Sequence, residues 1–219
     1  MAMPAPYRVA SCSFKGGAGR STAIANVAAA LLMEHKKVLL LDMDLGAPGL
    51  HEILRSFGDI SAMFKTTPPA TRDWSTWGIQ HLFNCYREDA GFVGEDVERF
   101  VENRVVPMRK LFAERALPAL QAAFADSVGE LVFVPSSPHV PGMPWLSGAV
   151  SQTEANRAFT RRMGHLVRLM EQRVLGNERF DFVLMDAASG FNVRSKAVHE
   201  YAKAFLLFYR RSIQHSRGT

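Results

Sequence analysis

A chain of 219 residues that is 47% hydrophobic and 21% charged can build one domain with a sizeable core, which excludes a disordered segment. Its formal net charge of +5 admits anionic partners but is too small to mark a nucleic-acid-binding composition. No apolar run nears the roughly 20 residues of a membrane span, "MAMPAPYRVASCSF" has no signal-peptide pattern, and Cys12 and Cys85 form no CxxC pair, so a reducing, cytoplasmic setting is expected.

In chain order, "YRVASCSF" reads as a short strand that buries Cys12, and a glycine-rich loop follows it. "STAIANVAAALLMEH" is rich in alanine and leucine and predicts a helix. "KKVLLLDMD" is a continuous Val/Leu run, the pattern of a parallel strand covered on both faces. Strand, loop, helix, strand is a βαβ unit with an expected right-handed crossover. Residues 51–129 form a less regular, insertion-like segment. Within it "TTPPATRDWSTWG" predicts a loop, while "GEDVERFVENRVV" and "PMRKLFAERALPALQAAFADS" predict helices, the second broken near Pro118. "ELVFVPSS" predicts another strand and "SSPHVPGMPWLSG" a loop; Trp74, Trp77 and Trp145 fall in such loop-like stretches. "SQTEANRAFTRRMGHLVRLMEQRVLG" predicts a long amphipathic helix, with Thr153 as its cap, Gly176 at its end, and Arg161 and Arg162 on a solvated face. "RFDFVLMDAASG" and "KAFLLFYRR" supply two more strands. The alternation implies an α/β layered fold with a mostly parallel sheet and helices on both faces.

Three motifs, at residues 15–22, 42–49 and 186–190, each begin where an apolar strand ends, which is where open α/β sheets bind ligands. In the first, Gly16, Gly17, Ala18 and Gly19 would curl the backbone so that its N–H groups and the next helix N-terminus surround phosphates. Ser21 stands where a hydroxyl would ligate Mg²⁺, and Thr22 where one would reach the α-phosphate. The lysine that closes a general P-loop is replaced by Arg20, which can grip phosphate in two places but is bulkier, so hydrolysis is expected to be slow or absent. Lys15 opens the loop and is either a ligand contact or an exposed loop charge. Asp42 and Asp44 flank Met43, so one would face the phosphates and one pack backwards, or both would cap the turn "LGAPG". Asp186 ends a strand and would hold a Mg²⁺-bound water near Ser21, or form a turn. Gly190 is free to flip its peptide toward a γ-phosphate.

"KGGAGRST" resembles the deviant Walker A motif of the MinD/ParA class of P-loop ATPases, and "VLLLDMDLGAPGL" and "FDFVLMDAASG" resemble its switch I and Walker B/switch II segments. The likeness is to the subgroup with arginine in the loop, of the KGGVGR type, and covers roughly residues 7–55 and 130–219. It implies a three-layer P-loop NTPase fold, a single P-loop ATPase domain over 1–219, and a C-terminal part of the fold, with the usual base contacts, that is missing. It implies ATP and Mg²⁺ as ligands, with Gly16, Gly17, Ala18, Gly19, Arg20, Ser21, Thr22 and Gly190 on the nucleotide and Ser21, Asp42 and Asp186 around the metal. Lys15 becomes the signature lysine that crosses a dimer interface to the partner's phosphates, and Asp44 the group that positions the attacking water. The implied protein is a weak or slow ATPase and a nucleotide-dependent homodimer switch in positioning, partitioning or signalling. Residues 51–129 would meet a protein partner, and no nucleic-acid site is singled out. A non-hydrolysing nucleotide-binding adaptor and an ATP-dependent synthetase on the same scaffold are the alternatives.

Overall fold

The computed structural model describes residues 5–55, 78–92, 94–104, 106–115, 118–136, 151–173, 179–190 and 192–209. Gly176, Trp74, Trp77, Trp145 and most of the two loop-like stretches around the tryptophans lie outside those residues. In chain order the elements are β1 (Tyr7–Cys12), α1 (Arg20–Met33), β2 (Lys37–Met43), α2 (Leu50–Arg55), α3 (Ile79–Asn84), β3 (Tyr86–Arg87), β4 (Gly91–Phe92) and α4 (Gly94–Arg104). They continue with β5 (Val106–Pro107), α5 (Met108–Arg115), α6 (Pro118–Ala125), β6 (Glu130–Val134), α7 (Gln152–Arg173), β7 (Phe182–Ala187), α8 (Val193–Tyr201) and β8 (Ala204–Leu207).

The main sheet has the order β5-β6-β2-β7-β1-β8. Every pairing in it is parallel except the short edge strand β5, which runs antiparallel to β6. β2 lies at the centre because its run from Val38 to Met43 is buried throughout, and a strand apolar on both sides must be covered on both sides. Side chains alternate across a strand, and the two apolar layers follow that rule. Leu39, Leu41 and Met43 pack with Phe83, Phe100, Phe159 and Met163 of α3, α4 and α7. Val38 and Leu40 pack with Ile24, Ala28 and Leu32 of α1 and with Phe112 and Phe124 of α5 and α6. Three layers, helix on sheet on helix, result as expected from the sequence. Arg8 of β1 ties α7 down with a two-point bond to Glu171, at 2.8 and 3.0 Å.

Several local expectations are corrected. Thr153 is not the cap of the long helix: it lies within the first turn, and Ser151 caps instead. Ser151 Oγ accepts from the Glu154 N–H at 3.2 Å while Glu154 Oε2 accepts from the Ser151 N–H at 3.1 Å, a reciprocal pair two residues earlier than predicted. Arg162 is not solvated. It is 5% exposed, lies 4.7 Å over the Tyr86 ring and bonds Glu88, whereas Arg161 stays exposed and also pairs with Glu88. The helix does show a polar face, but the β3–β4 hairpin covers part of it. The described part of 51–129 is more regular than expected, holding that hairpin, β5 and helices α3 to α6. Pro118 opens α6, a position where the absent N–H costs nothing. α8 was not anticipated; Asn192 caps it by accepting from the Arg194 and Ser195 N–H groups.

Candidate functional site

β1 ends at Cys12 and α1 starts at Arg20, so the loop 13–19 lies at the carboxyl end of an interior strand. Gly17 and Gly19 have φ of 71° and 83°, a region that side chains disfavour. A Cβ added at either would meet nothing within 4 Å, so the glycines serve the backbone turn and leave open space beside it. Gly19 is the N-cap of α1, no side chain caps the helix, and its first turn holds no acidic residue. The orphan N–H groups and the positive end of the helix dipole are therefore available to an anion. The loop is anchored from within: Ser13 Oγ donates to the Lys15 carbonyl at 2.9 Å, and the Gly190 N–H donates to the Ser13 carbonyl at 2.8 Å.

The carboxylates come together through sheet pairing. Asp42 and Asp186 are direct partners in the β2–β7 register. Both share strand parity with Leu40 and Leu184, whose side chains belong to the layer under α1. Both are buried, at 0% and 1% exposure, and each retains one oxygen, Oδ2, with no partner at full hydrogen-bond geometry among the described residues. Asp186 Oδ1 accepts from Ser11 Oγ at 2.8 Å, and Ser11 Oγ in turn accepts from the Ala187 N–H at 3.0 Å. Burial pushes the Asp186 carboxyl above its ordinary range, opposed by the Ser21 and Ser11 hydroxyls and by Arg20. Burial first, then the negative charges of Asp186 and Asp44, hold the Asp42 carboxyl well above the usual carboxylate range.

Arg20 is turned inward. Its side chain is 7% exposed, its Nη2 donates to Asp44 Oδ2 at 3.3 Å, and its Nη1 is buried without a hydrogen-bond partner among the described residues. Asp44 also accepts from the Ala47 N–H at 3.2 Å, while Asp42 Oδ1 accepts from the Asp44 N–H at 3.2 Å. The turn-capping arrangement of these aspartates therefore exists alongside their proximity to the loop. Burial raises the Asp44 carboxyl against the lowering effect of Arg20. Ser21 is half-buried at the first turn of α1, Thr22 is exposed, and Lys15 is half-buried at the loop's start. Gly190, at φ 80°, lies in the turn after β7, its carbonyl bonded by Ser195 Oγ at 2.6 Å.

Sequence reasoning missed Ser11, Ser13, Ser195 and Arg194. A Cβ on Gly46 would stand 2.9 Å from Arg194 Nη1, so the start of α8 abuts the turn that follows Asp44. Only residue type marked these positions, since their partners are far away in the chain.

The donor set fits a magnesium-bound polyphosphate. Three acidic side chains outnumber the one buried guanidinium, and two buried carboxylate oxygens have no partner at full hydrogen-bond geometry among the described residues. Among the described residues no three His, Cys, Asp or Glu side chains form a group that could hold a metal alone. Magnesium suits such a place, because it keeps waters and takes one or two carboxylates with substrate phosphates. No helix among the described residues is long and apolar enough to cross a membrane.

Residues 9–105 match the model of the CobQ/CobB/MinD/ParA nucleotide binding domain. No curated protein matches the sequence. Among solved structures, cobyrinic acid a,c-diamide synthase from Mycobacterium smegmatis, with bound ADP and magnesium, is 15% identical with a TM-score of 0.53. It is covered over 66% of its length by 97% of this chain. A putative plasmid partition protein from Borrelia burgdorferi B31, bound to AMPPNP, is 15% identical with a TM-score of 0.52, over 98% of this chain and 67% of its own. The cell division ATPase MinD of Pyrococcus furiosus is 16% identical with a TM-score of 0.51, over 97% and 62%. At these identities the likeness establishes a shared fold, and the chain spans about two thirds or less of their lengths. Residues 9–105 are thus similar to the CobQ/CobB/MinD/ParA nucleotide binding domain, and the chain shares the fold of these solved structures.

Proposed function

We propose that the chain binds Mg²⁺-ATP at the 15–22 loop and uses it to control pairing of two copies, as a slow ATPase of the MinD/ParA kind with the KGGVGR-type loop. The observation that carries this reading is the open glycine turn at the uncapped start of α1 beside a buried carboxylate pair, two of whose oxygens have no partner at full hydrogen-bond geometry among the described residues. Backbone N–H groups of Gly16, Gly17, Ala18 and Gly19 would hold the β- and γ-phosphates, with Arg20 and Thr22 completing the phosphate contacts. Ser21, Asp186 and Asp42 would hold the magnesium ion, whose chemistry is to neutralise charge on the transferred phosphoryl group. Asp44 would orient water, Gly190 would report the γ-phosphate, and Lys15 would reach the nucleotide of the second copy. The reading takes 1–219 as one P-loop domain, cytoplasmic, with 51–129 as the surface for a protein partner. The likeness to neighbours that hold Mg²⁺-ADP or AMPPNP supports the choice of ligand.

Calorimetry with Mg²⁺-ATP and Mg²⁺-ADP tests binding, and size exclusion of wild type and Lys15→Ala tests pairing. ATP is expected to shift wild type to a dimer and to leave Lys15→Ala a monomer. If neither form responds to ATP, the switch is wrong. One observation favours a second reading, a binder without turnover: Arg20 occupies Asp44, the group assigned to the attacking water. Retained ATP binding with no phosphate release would decide for it.

A further inference from the structure

α7 and α8 pack in the apolar layer with α3 and α4, across the sheet from α1 and the carboxylate pair. Between them lies a groove of about 560 Å³, within the range of small-molecule sites. Its floor is set by close helix contact. Tyr201 donates its hydroxyl to the Thr160 carbonyl at 3.0 Å, and Gly164, one turn further along α7, leaves room for the ring. A Cβ on Gly164 would stand 2.7 Å from Tyr201 Cζ. A glycine inside a helix is less stable than alanine there, so this close approach is bought with stability.

The walls are cationic. Arg157 and Arg161 stand four residues apart on α7, a like-charge spacing that weakens a helix, and Lys196 adds a third cation from α8. Glu200 is the single carboxylate in the lining among the described residues. Arg8, Arg55, Arg87, Arg99 and Arg109 each meet a carboxylate, whereas Arg168 and Arg194, like Arg157, meet none among the described residues. Arg161 is pulled toward Glu88, outside the groove and shared with Arg162. Arg157 and Lys196 have no ion-pair partner among the described residues, and Glu200 does not take that part. Thr160 and Asn156 add hydroxyl and amide groups beside the cations.

Such a lining offers three cations against one carboxylate. It fits a ligand with a compact dianion, for the two guanidinium groups and the ammonium, and a hydroxyl for Glu200. An extended polyanion would meet Glu200 as repulsion and would gain nothing from concavity. We propose that the α7–α8 groove is a second ligand site, for a small hydroxyl-bearing phosphate monoester held by Arg157, Arg161 and Lys196 and oriented by Glu200.

Ribose 5-phosphate is the probe, titrated calorimetrically in saturating Mg²⁺-ADP against ribose and inorganic phosphate. Wild type should bind ribose 5-phosphate at least tenfold more tightly than either fragment. The exposed double change Arg157→Gln/Lys196→Gln should weaken that binding at least tenfold and leave the melting temperature unchanged. Glu200→Gln should erase the advantage over inorganic phosphate. Gly17→Val, which puts a branched side chain at φ 71°, should leave the groove's affinity intact, so failure of the nucleotide site and failure of this one are read separately. Three results would overturn the assignment: no heat up to about 10 mM, where binding is worth under ~3 kcal/mol; equal affinity in the double variant; or variant-sensitive binding of an oligoglutamate peptide or single-stranded DNA in place of ribose 5-phosphate.

Discussion

At Arg20 one guanidinium faces two claims. It pairs with Asp44 at 3.3 Å and is almost fully buried, and in the proposed nucleotide site it would also reach phosphate. A polyphosphate would have to draw it away from Asp44 or share it. Replacing Asp44 with Asn removes the competing charge, so Asp44→Asn should bind Mg²⁺-ATP about three- to tenfold more tightly while phosphate release falls, the worth of one partly buried pair. Weaker binding in a calorimetric titration would show that Asp44 instead positions Arg20 for the ligand. Asp42 carries a separate prediction. Its carboxyl is raised in the folded protein, so the native state keeps a proton that the unfolded chain loses near pH 3.8. The native state thus binds more protons in that window, and stability falls as pH rises from there through the folded value. Asn keeps an oxygen for the Asp44 N–H and carries no charge. Asp42→Asn should therefore raise the melting temperature at neutral pH and change little near pH 3; equal melting curves at pH 7 would mean that the buried charge costs nothing.

At the scale of elements, α7 shows how closely a cap and a helix start are linked. The Ser151–Glu154 exchange satisfies two N–H groups that the helix cannot satisfy itself. Ser151→Ala should cost about 1 kcal/mol, which is about 2–4 °C in melting temperature for a chain of this size. Thr153→Ala, at an exposed position inside the first turn, should change it by less than half as much. Thermal melts of the two variants separate the cap assigned by sequence from the cap the fold uses. α1 differs, because it ends the glycine loop with no side-chain cap at all. Without such a cap its first N–H groups are met by no capping side chain.

Across the whole molecule, the turn after α1 and the turn before β6 interlock behind the sheet. A Cβ on Gly129 would come within 2.5 Å of the Lys36 carbonyl oxygen, and Ser127 Oγ donates to the Leu32 carbonyl at 2.5 Å. The Glu130 N–H reaches the Lys36 carbonyl at 3.2 Å, which carries the β2–β6 register into the loop. Backbone cannot yield there as a flexible side chain would. Gly129→Ala should therefore destabilise by about 1–3 kcal/mol, the usual cost of overpacking, and a urea midpoint equal to wild type would show that the two turns separate freely.

The amino-acid order alone determined the parts that depend on a short window. The Val/Leu run from Val38 to Leu41 had to be a covered strand, the alanine-rich stretch after Arg20 a helix, and the glycines at 16, 17 and 19 a tight turn. Burial on both faces, helix propensity and missing Cβ atoms act within a few residues, so they can be read there. Tertiary structure decided that Asp42 meets Asp186, that Ser11 holds Asp186, that Arg20 turns to Asp44, and that Tyr86 and Glu88 bury Arg162. These contacts join residues remote in the chain. Which strands become neighbours is settled by how all the apolar faces are covered at once, and no local window carries that sum.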